Sequence, residues 1–454
     1  MKRVITFTQK DFEVAYHHLL RGEDEEATFF TGGLSQTPDR LNLLVRDVIL
    51  VPEEGFIEKG RAHLTIAPEF MAPIIKKARL DNLCVISAHS HPFSNVGSAF
   101  SSIDDYGDDL LMPKIQSRVP SRPHGAMVFG RSSLDARVWE PGKLDSVQVD
   151  AVRVVGEMIR DIIPTKNQPS DFEGSREMHD RQILAFGERG QKQIQSTRVA
   201  VVGLGGTGSL TFQQLVHLGV AELIIIDDDI VEENNRSRMV GSRPDDSMKR
   251  RPKVEVMERL GYEINPLVRI KIIKDSVNNI SAALALRDAD VIFCCTDNLS
   301  SRLILNRFAS QYIIPVIDMG IDIQAKEEGK IRTAGGRITV LLPDVPCLSC
   351  MGLLNPQALA AENSEQGYVS GVNIQNPSVI SLNGVVASLG VTEFLNLLTG
   401  FERRRRSSTY QVYDILKGEI WRESMEVTEK CGVCDEVKGL GDNIELPCKK
   451  EEKA

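Results

Sequence analysis

The chain has 454 residues, of which 26% are charged and 42% hydrophobic, and its formal net charge is −9. This length allows two or three domains with sizeable apolar cores, and the negative charge argues against a general nucleic-acid binder. The first twenty residues mix apolar and charged side chains in a way unlike a secretory signal. No stretch approaches the roughly 18 consecutive apolar residues of a membrane span. We therefore expect a cytoplasmic protein that contacts neither nucleic acid nor membrane.

The first 150 residues carry the patterns of an α/β domain. Strand-like runs occur at 25–33 and 42–51, and apolar residues at helical spacing after a proline predict a helix over 68–80. A further buried strand is expected at 83–88, and the most informative motif of the region follows it directly.

This motif contains His89, His91 and, after a short loop, Asp104. Two histidines at positions i and i+2 of a strand end can direct both imidazoles at one ion. A nearby carboxylate then supplies a third ligand and leaves a tetrahedral position for water, as in a catalytic zinc site. Zinc lowers the pKa of such a water to ~7, and a separate carboxylate can take its proton. The alternative is that both histidines are ordinary loop residues and that Asp104 caps a helix.

The segment resembles the JAMM (JAB/MPN) metalloprotease family, whose signature is an upstream glutamate, H-x-H-P and S-x-x-D. Members cleave isopeptide or peptide bonds at the C-terminus of ubiquitin-like proteins. The resemblance implies that His89, His91 and Asp104 hold zinc, and that Ser101 helps to stabilise the oxyanion.

The same resemblance implies a general base in the first strand of the domain. Glu25 fits best, because Thr28 and Gly32 fall at the matching offsets, and Glu26 is the alternative. Adjacent strand residues face opposite ways, so only one of the two glutamates can serve.

Residues 151–175 are expected to form a helix and an interdomain linker. Apolar residues recur at helical spacing over 150–163, and the polar stretch that follows contains two prolines. Another helix is expected over 178–190, and it includes Arg181.

A second domain is expected over 176–435, organised around a strand at 199–202, a glycine-rich turn and a helix that ends on Gly219. A second strand, at 221–226, leads to Asp227. Glycines let the backbone approach a phosphate, and a helix N-terminus favours its charge. The turn glycines are Gly203, Gly205, Gly206 and Gly208.

The glycine motif alone fits a nicotinamide dehydrogenase about as well as an ATP-using enzyme. The residues that follow it favour ATP, because Arg238, Lys253 and Asp297 would be superfluous around a nicotinamide cofactor. In acyl adenylation, cations neutralise the polyphosphate while a carboxylate attacks the α-phosphorus, and an aspartate holds Mg²⁺.

The whole pattern resembles the ThiF/MoeB/HesA group, the ubiquitin-activating-enzyme-like adenylyltransferases, and so implies a Rossmann-like domain. The resemblance implies that Asp297 coordinates Mg²⁺. It also implies that Arg181 reaches into a partner's active site, and therefore a homodimer. The residues expected at the ribose and the phosphates are Asp227 for the ribose, Asp229 as the second acid of the D-x-D motif, and Asn235, Arg238 and Lys253 for the phosphates.

Two C-x-x-C pairs occur among the eight cysteines. Together they supply four thiolates, the complement of a closed structural zinc site, and the ThiF/MoeB pattern has such pairs after the adenylation core and near its end. The paired cysteines are Cys347 with Cys350 and Cys431 with Cys434.

Apolar residues over 381–398 predict a core or dimer helix.

No cysteine lies between positions 351 and 430, where activating enzymes that form a thioester carry one. The sequence therefore favours adenylation over thioester transfer, with the acyl adenylate passed to a thiol, persulfide or amine of another molecule. The four remaining cysteines are three expected in the core, Cys84, Cys294 and Cys295, and one expected in a mobile tail, Cys448.

The sequence thus predicts an α/β chain with a JAMM domain over 1–150, a helix and linker over 151–175, a ThiF-type domain with structural zinc over 176–435 and a charged tail over 436–454. We expect a bifunctional enzyme of a bacterial-type ubiquitin-like or sulfur-carrier pathway, using ATP, Mg²⁺, one catalytic zinc and one structural zinc. One alternative is adenylation of a small peptide or metabolite in sulfur transfer or natural-product biosynthesis. Another is a non-catalytic scaffold for ubiquitin-like proteins, which the intact charged residues argue against.

Overall fold

The computed structural model describes residues 1–93, 97–164, 177–327, 329–363, 377–401, 409–428 and 431–449. The chain divides into two compact units. Unit 1 comprises residues 1–171, 311–313 and 437–445, and unit 2 comprises 172–310, 314–436 and 446–454. Apart from Pro164, the expected linker lies outside the described residues.

Unit 1 is built on a nine-stranded mixed sheet and a separate two-stranded ribbon. Its strands are β1 (Lys2–Thr8), β2 (Ala27–Gln36), β3 (Arg40–Leu50), β4 (Phe56–Lys59), β5 (Leu64–Ile66), β6 (Cys84–Ser90), β7 (His124–Phe129), β8 (Leu134–Trp139), β9 (Val147–Gln148), β10 (Ala151–Val155) and β11 (Ile159–Ile162). Its helices are α1 (Gln9–Leu19), α2 (Pro68–Leu80) and α3 (Ser102–Arg118), with a 3₁₀ turn at Glu53–Gly55. The large sheet has the order β11-β10-β1-β3-β2-β6-β7-β8-β9, and β4 pairs with β5.

The large sheet is covered on both faces. Successive strand residues point to opposite faces, so Phe29 and Phe30 of β2 enter different apolar clusters. Phe30 joins Phe7 and Phe12 beside α1, whereas Phe29 packs in the cluster of Ile115 from α3. This second face carries the helix that holds Asp104.

Residues 151–162 form β10 and β11, so the helix expected over 150–163 is wrong. β10 pairs in parallel with β1, and both Val152 and Val154 enter the core cluster beside α1. β-branched residues favour a pleated surface, and a short apolar run does not separate strand from helix by periodicity alone.

Residues 437–445 belong to unit 1 and are not part of a mobile tail. β6 pairs with only the first part of β2. The free part of β2 is completed by this segment, since Gly33 N donates to Gly439 O at 2.8 Å and Asp442 N donates to Leu34 O at 2.7 Å. A charged segment can be ordered when its backbone groups find partners in this way. Residues 450–454 lie outside the described part of the chain.

Unit 2 has an eight-stranded sheet in the order β14-β13-β12-β15-β16-β17-β18-β19. Its strands are β12 (Arg198–Val202), β13 (Glu222–Ile226), β14 (Arg269–Ile273), β15 (Val291–Cys294), β16 (Val316–Glu327), β17 (Lys330–Leu341), β18 (Tyr410–Asp414) and β19 (Glu419–Glu423). The helices after α3 are α4 (Asp180–Ser196), α5 (Gly206–Leu218), α6 (Pro244–Met248), α7 (Lys253–Ile264), α8 (Ile280–Ala285), α9 (Leu299–Tyr312), α10 (Pro356–Asn363) and α11 (Ile380–Thr399), with 3₁₀ turns at Glu233–Asn235 and Leu286–Asp288. The strands from β14 to β16 are parallel and those from β17 onwards are antiparallel. This is a mixed α/β, Rossmann-like architecture.

The apolar helix expected over 381–398 is α11. By length and composition this 20-residue helix is long enough to cross a membrane, but half of its apolar window is buried inside the chain. It packs against α5 and β16. These contacts are those of a core helix of unit 2.

Candidate functional site

Three side chains of unit 1 converge where β6 ends. His89 lies in β6, His91 follows the strand, and Asp104 lies in the first turn of α3. His89 Nε2 lies 3.2 Å from His91 Nε2 and 3.0 Å from Asp104 Oδ1, and His91 Nε2 lies 3.4 Å from Asp104 Oδ2. Zinc bonds of about 2.0–2.1 Å at tetrahedral angles place N and O ligands about 3.3 Å apart. The three residues therefore fit one zinc ion.

The three side chains are largely buried, and the Asp104 carboxylate and the His91 imidazole each stabilise the charged form of the other. Burial by itself would raise the pKa of Asp104, but hydrogen bonds from His89 and His91 hold that pKa well below its usual range. Burial would lower the pKa of His91, but Asp104 and Glu25 raise it. Carboxylate charge is thus concentrated beside two imidazoles, which suits a bound cation.

Glu25 and Glu26, which precede β2, lie in different surroundings. Glu25 Oε1 is 3.6 Å from His91 Nε2, and its burial raises the pKa of the Glu25 carboxyl group. Glu26 Oε1 instead lies 2.9 Å from Arg21 Nε and 3.1 Å from Lys59 Nζ. Of the two glutamates that the sequence left as alternatives, Glu25 lies beside the histidines.

Ser101 is the N-cap of α3. Its hydroxyl accepts a hydrogen bond from Asp104 N at 3.2 Å, and Ser101 N donates to Asp104 Oδ2 at 2.6 Å. This reciprocal capping box fixes the Asp104 side chain at the start of the helix. Ser101 therefore places a candidate ligand, and its expected role at an oxyanion stays a prediction.

In unit 2, a glycine turn joins β12 to α5. Gly203 has a φ of 86°, in the left-handed region that favours glycine. A Cβ atom on Gly208 would lie 1.8 Å from Gly203 O, so no side chain fits there. Gly205 is the N-cap of α5 and offers no side chain to the first N–H groups. The uncapped N-terminus of this helix suits a phosphate.

Asp227 follows β13 and holds the turn. One of its oxygens accepts from Leu204 N at 2.6 Å and the other from Asp229 N at 2.9 Å. Burial raises the pKa of Asp227. Lys253 Nζ lies 2.6 Å from Asp229 Oδ2 and 3.8 Å from Asp227 Oδ1. Burial opposes the charge of Lys253, but these aspartates raise its pKa, so the residue is a cation beside the turn.

Asn235 and Arg238 lie in the connection between β13 and α6. Arg238 donates to Asn234 O at 2.8 Å, and a Cβ atom built on Gly206 would lie 3.4 Å from Arg238 Cδ. Asn235 accepts from Glu232 N at 3.0 Å within a 3₁₀ turn. The structure thus brings Arg238 to the N-terminus of α5.

Asp297 and Arg181 are both exposed. Asp297 follows β15, a parallel neighbour of β12, and so lies at the same carboxyl edge of the sheet as the glycine turn. Arg181 is 89% exposed at the start of α4 and lies 3.8 Å from Asp180. Its expected role in a partner's active site stays a prediction.

A buried arginine that sequence reasoning missed supports the loop of Asp297. Arg302 donates to both oxygens of Asp318, at 2.6 and 2.7 Å, and to Thr296 O at 2.8 Å. Asp318 is fully buried in β16. The sequence indicated Asp227 and Asp297 because each follows a short apolar run. Asp318 also follows an apolar pair, Val316-Ile317, but lies within β16 and not at its end. That signal identifies the acid, whereas its pairing with Arg302 depends on the fold.

The four paired cysteines meet in one cluster of unit 2. Cys347 Sγ lies 3.8 Å from the Sγ atoms of Cys350 and Cys431, and Cys350 Sγ lies 3.7 Å from Cys434 Sγ. Zn–S bonds of about 2.3 Å at tetrahedral angles give S···S distances of about 3.8 Å. The cluster therefore fits a closed four-thiolate zinc site.

Burial raises the pKa of each of the other four cysteines. Burial raises the pKa of Cys84 and of Cys294 to about 12, and that of Cys295 well above its usual value. Cys448 is half-buried beside Val277 O at 3.9 Å, and burial raises its pKa to about 11. Since the thiolate is the reactive form, these environments disfavour reaction at all four positions.

The ThiF family model matches residues 179–435, which is more than half of the chain. The SAMP-activating enzyme E1 of Haloferax volcanii is 29% identical over 259 residues, covering 57% of this chain and 87% of that protein. The sulfur carrier protein ThiS adenylyltransferase of Bacillus subtilis is 28% identical over 252 residues, covering 55% of this chain and 69% of that protein. The crystal structure of Escherichia coli MccB with ATP aligns with a TM-score of 0.45 and 17% identity, covering 59% of this chain and 76% of that one.

Proposed function

Since the chain belongs to the ThiF family, we propose that its second unit uses ATP to adenylate the C-terminal carboxylate of a ubiquitin-like or sulfur-carrier protein. The observation that carries the proposal is the meeting of Asp227, Lys253 and the open N-terminus of α5 at one edge of the parallel sheet. The names of the Haloferax and Bacillus relatives support this class of substrate.

In this reaction a carboxylate oxygen of the carrier attacks the α-phosphorus of ATP, the bond to the bridging oxygen breaks, and pyrophosphate leaves. We assign the ribose to Asp227 and the polyphosphate to the N–H groups of α5 with Asn235, Arg238 and Lys253. Asp297 would hold Mg²⁺, which neutralises phosphate charge when it is bound.

The adenylate would pass directly to a thiol, persulfide or amine of another molecule. This follows from the absence of cysteine between positions 351 and 430 and from the raised pKa values of Cys294, Cys295 and Cys448. A covalent relay through one of these thiols would need a thiolate that its surroundings disfavour.

Exchange of labelled pyrophosphate into ATP tests the proposal. The carrier to try first is ThiS of Bacillus subtilis, beside a ThiS variant shortened at its C-terminus. Exchange that depends on the intact C-terminus supports carrier adenylation. Exchange driven by a short peptide or a free metabolite indicates the alternative substrate class, and failure of the chain to bind ATP would overturn adenylation altogether.

We further propose that unit 1 cleaves the bond at the carrier C-terminus as a zinc peptidase of the JAMM type. The supporting observation is the near-tetrahedral spacing of the His89, His91 and Asp104 ligand atoms. A zinc ion held by these residues supplies a Lewis acid that activates water near neutral pH. Glu25, whose Oε1 atom lies 3.6 Å from His91 Nε2, would take a proton from the attacking water and return it to the leaving amine.

The zinc content of the purified chain tests this second activity. We expect about two zinc ions per chain, one in each proposed site, and one after His89→Ala/His91→Ala. His217→Ala, at an exposed position of α5, is the control and should keep both ions. One zinc ion in the wild type and in the double variant alike would contradict the peptidase site and leave adenylation standing.

A further inference from the structure

Arg137 of β8 binds two carboxylates in the first turns of α3. Its Nη1 atom lies 2.6 Å from Asp105 Oδ1, and its Nε and Nη2 atoms donate to Asp108 Oδ2 at 3.0 and 2.7 Å. The Arg137 side chain is only 14% exposed. Asp104 is the neighbour of Asp105 and lies one helical turn before Asp108, on the same helix face. The guanidinium therefore binds the helix at two positions within one turn after the candidate zinc ligand.

The same guanidinium also contacts the packing around the first histidine. Arg137 Cζ lies 3.9 Å from the centre of the Phe100 ring, and that ring lies edge-on to His89 with centroids 6.4 Å apart. A cation over an aromatic face is held electrostatically. One side chain thus contacts both the helix that carries Asp104 and the ring that packs on His89.

The first half of α3 has no apolar anchor of its own. The buried residues of the helix are Met112 and Ile115, both in its second half. The apolar side chains of the first half point outwards, since Ile103 is 63% and Tyr106 68% exposed. Polar contacts therefore position this part of the helix, and Arg137 makes three of them, to two aspartates.

We propose that Arg137 is a positioning residue of the zinc site, fixing the carboxylate of Asp104 relative to the imidazoles of His89 and His91. This inference rests on the proposed zinc site of unit 1. Two effects of Arg137 oppose each other. Its charge repels a metal cation, so removing the charge alone would tighten binding, whereas loss of its fork-shaped contacts would misplace a ligand and weaken binding.

Zinc affinity of the full-length chain separates the two effects. Arg137→Lys keeps the positive charge but loses the guanidinium that binds Asp105 and Asp108 together, and Arg137→Met loses both the charge and these contacts. The matched controls are Arg153→Lys and Arg153→Met, because Arg153 binds Asp161 of β11 at 2.7 and 2.8 Å in the same unit. Affinity is measured by competition with a chelator under conditions where the four-cysteine site keeps its zinc.

We expect both Arg137 variants to bind this zinc about 10–100-fold more weakly, the usual effect of losing a residue that orients a ligand, and both Arg153 variants to bind as the wild type does. In cobalt-substituted protein, the ligand-field bands of the site should shift with Arg137→Lys and not with Arg153→Lys. Such a shift reports coordination geometry, which a general loss of stability would not move.

Unchanged affinity in Arg137→Lys together with tighter binding in Arg137→Met would show a purely electrostatic role and overturn the inference. Equal losses in the Arg153 variants would overturn it as well, because they would indicate general loosening of unit 1. A wild-type chain that binds zinc only at the cysteines would instead contradict the proposed peptidase site. The two failures are therefore distinguishable.

Discussion

Glu25 Oε1 lies 3.6 Å from His91 Nε2 while the adjacent Glu26 is bound by two cations, so these neighbouring carboxylates have different partners. Burial raises the pKa of Glu25, which brings its basicity closer to that of a general base. Glu26 pairs with Arg21 and Lys59, and these contacts lie where the chain enters β2.

Glu25→Gln should abolish peptide-bond cleavage at the carrier C-terminus while both zinc ions stay bound. The amide keeps the shape of the side chain and cannot accept the proton, so we expect a loss of at least ~10²-fold in rate, as for other general bases. Cleavage of a carrier with a C-terminal extension, with zinc content measured in parallel, checks the prediction.

Glu26→Gln is the control for this prediction. It leaves Arg21 and Lys59 without their shared carboxylate and should lower the free energy of unfolding by ~1–3 kcal/mol, with little change in cleavage rate. Loss of cleavage in Glu26→Gln with retention in Glu25→Gln would move the base to the second glutamate.

Asp297→Ala should stop ATP–pyrophosphate exchange and leave carrier cleavage unchanged. The residue is exposed at the edge of the sheet, so we expect the substitution to have little effect on stability. Asp245→Ala, which removes a surface ion pair with Lys249, should affect neither activity. Loss of cleavage in Asp297→Ala would count against two independent active sites.

Cys350→Ser should remove one zinc ion per chain and lower the thermal stability of unit 2. Three thiolates and a hydroxyl hold zinc less tightly than four thiolates, and zinc binding contributes directly to folding. Cys448→Ser should keep both ions and support normal adenylation. Metal analysis with thermal unfolding checks both variants, and an unchanged zinc content in Cys350→Ser would contradict the four-cysteine site.

Asp246 gives the stability of unit 2 a defined pH dependence. Arg259 donates to both of its oxygens at 2.8 and 2.7 Å, and these bonds lower the pKa of Asp246 from 3.8 to about 2. Because the folded-state pKa lies below the unfolded value, the stabilisation is complete above about pH 4 and is lost as the pH falls towards 2. Its size is about 2 kcal/mol.

The free energy of unfolding of Asp246→Asn should therefore approach that of the wild type as the pH is lowered from 7 to 2. Urea unfolding followed by Trp421 fluorescence reports unit 2 when both proteins also carry Trp139→Phe, since the chain has only two tryptophans. A difference between the two proteins that stays constant from pH 7 to pH 2 would contradict the assignment.

Local patterns predicted the local parts of the structure. The strand and helix around the glycine turn lie where the sequence placed them, because β-branched runs, turn glycines and helical spacing act within about ten residues of one another. The same local reasoning was wrong for 150–163, where Val152 and Val154 pack as strand residues against β1. There the partner strand, some 150 positions away in sequence, decides the conformation.

The cluster of His89, His91 and Asp104 was predictable because all three belong to one short motif. The pairing of Arg137 with Asp108 was not, since it joins a strand to a helix across 29 positions, and no spacing rule connects them. For the choice between Glu25 and Glu26, the sequence supplied only the spacing to Thr28 and Gly32. In the structure, the contacts of Glu26 with Arg21 and Lys59 distinguish the two side chains.

The segment 437–445, which completes β2, has a consequence for how the protein is made. Residues of β2 leave the ribosome long before this segment, since Gln36 and its partner Asp442 are 406 positions apart, so the first unit waits for these backbone partners until most of the second unit has been synthesised. Lys438, which lies 2.8 Å from Asp11, joins α1 to the same late segment. Completion of the first unit thereby depends on synthesis through residue 445, and a chain terminated before residue 437 would carry an unfinished sheet.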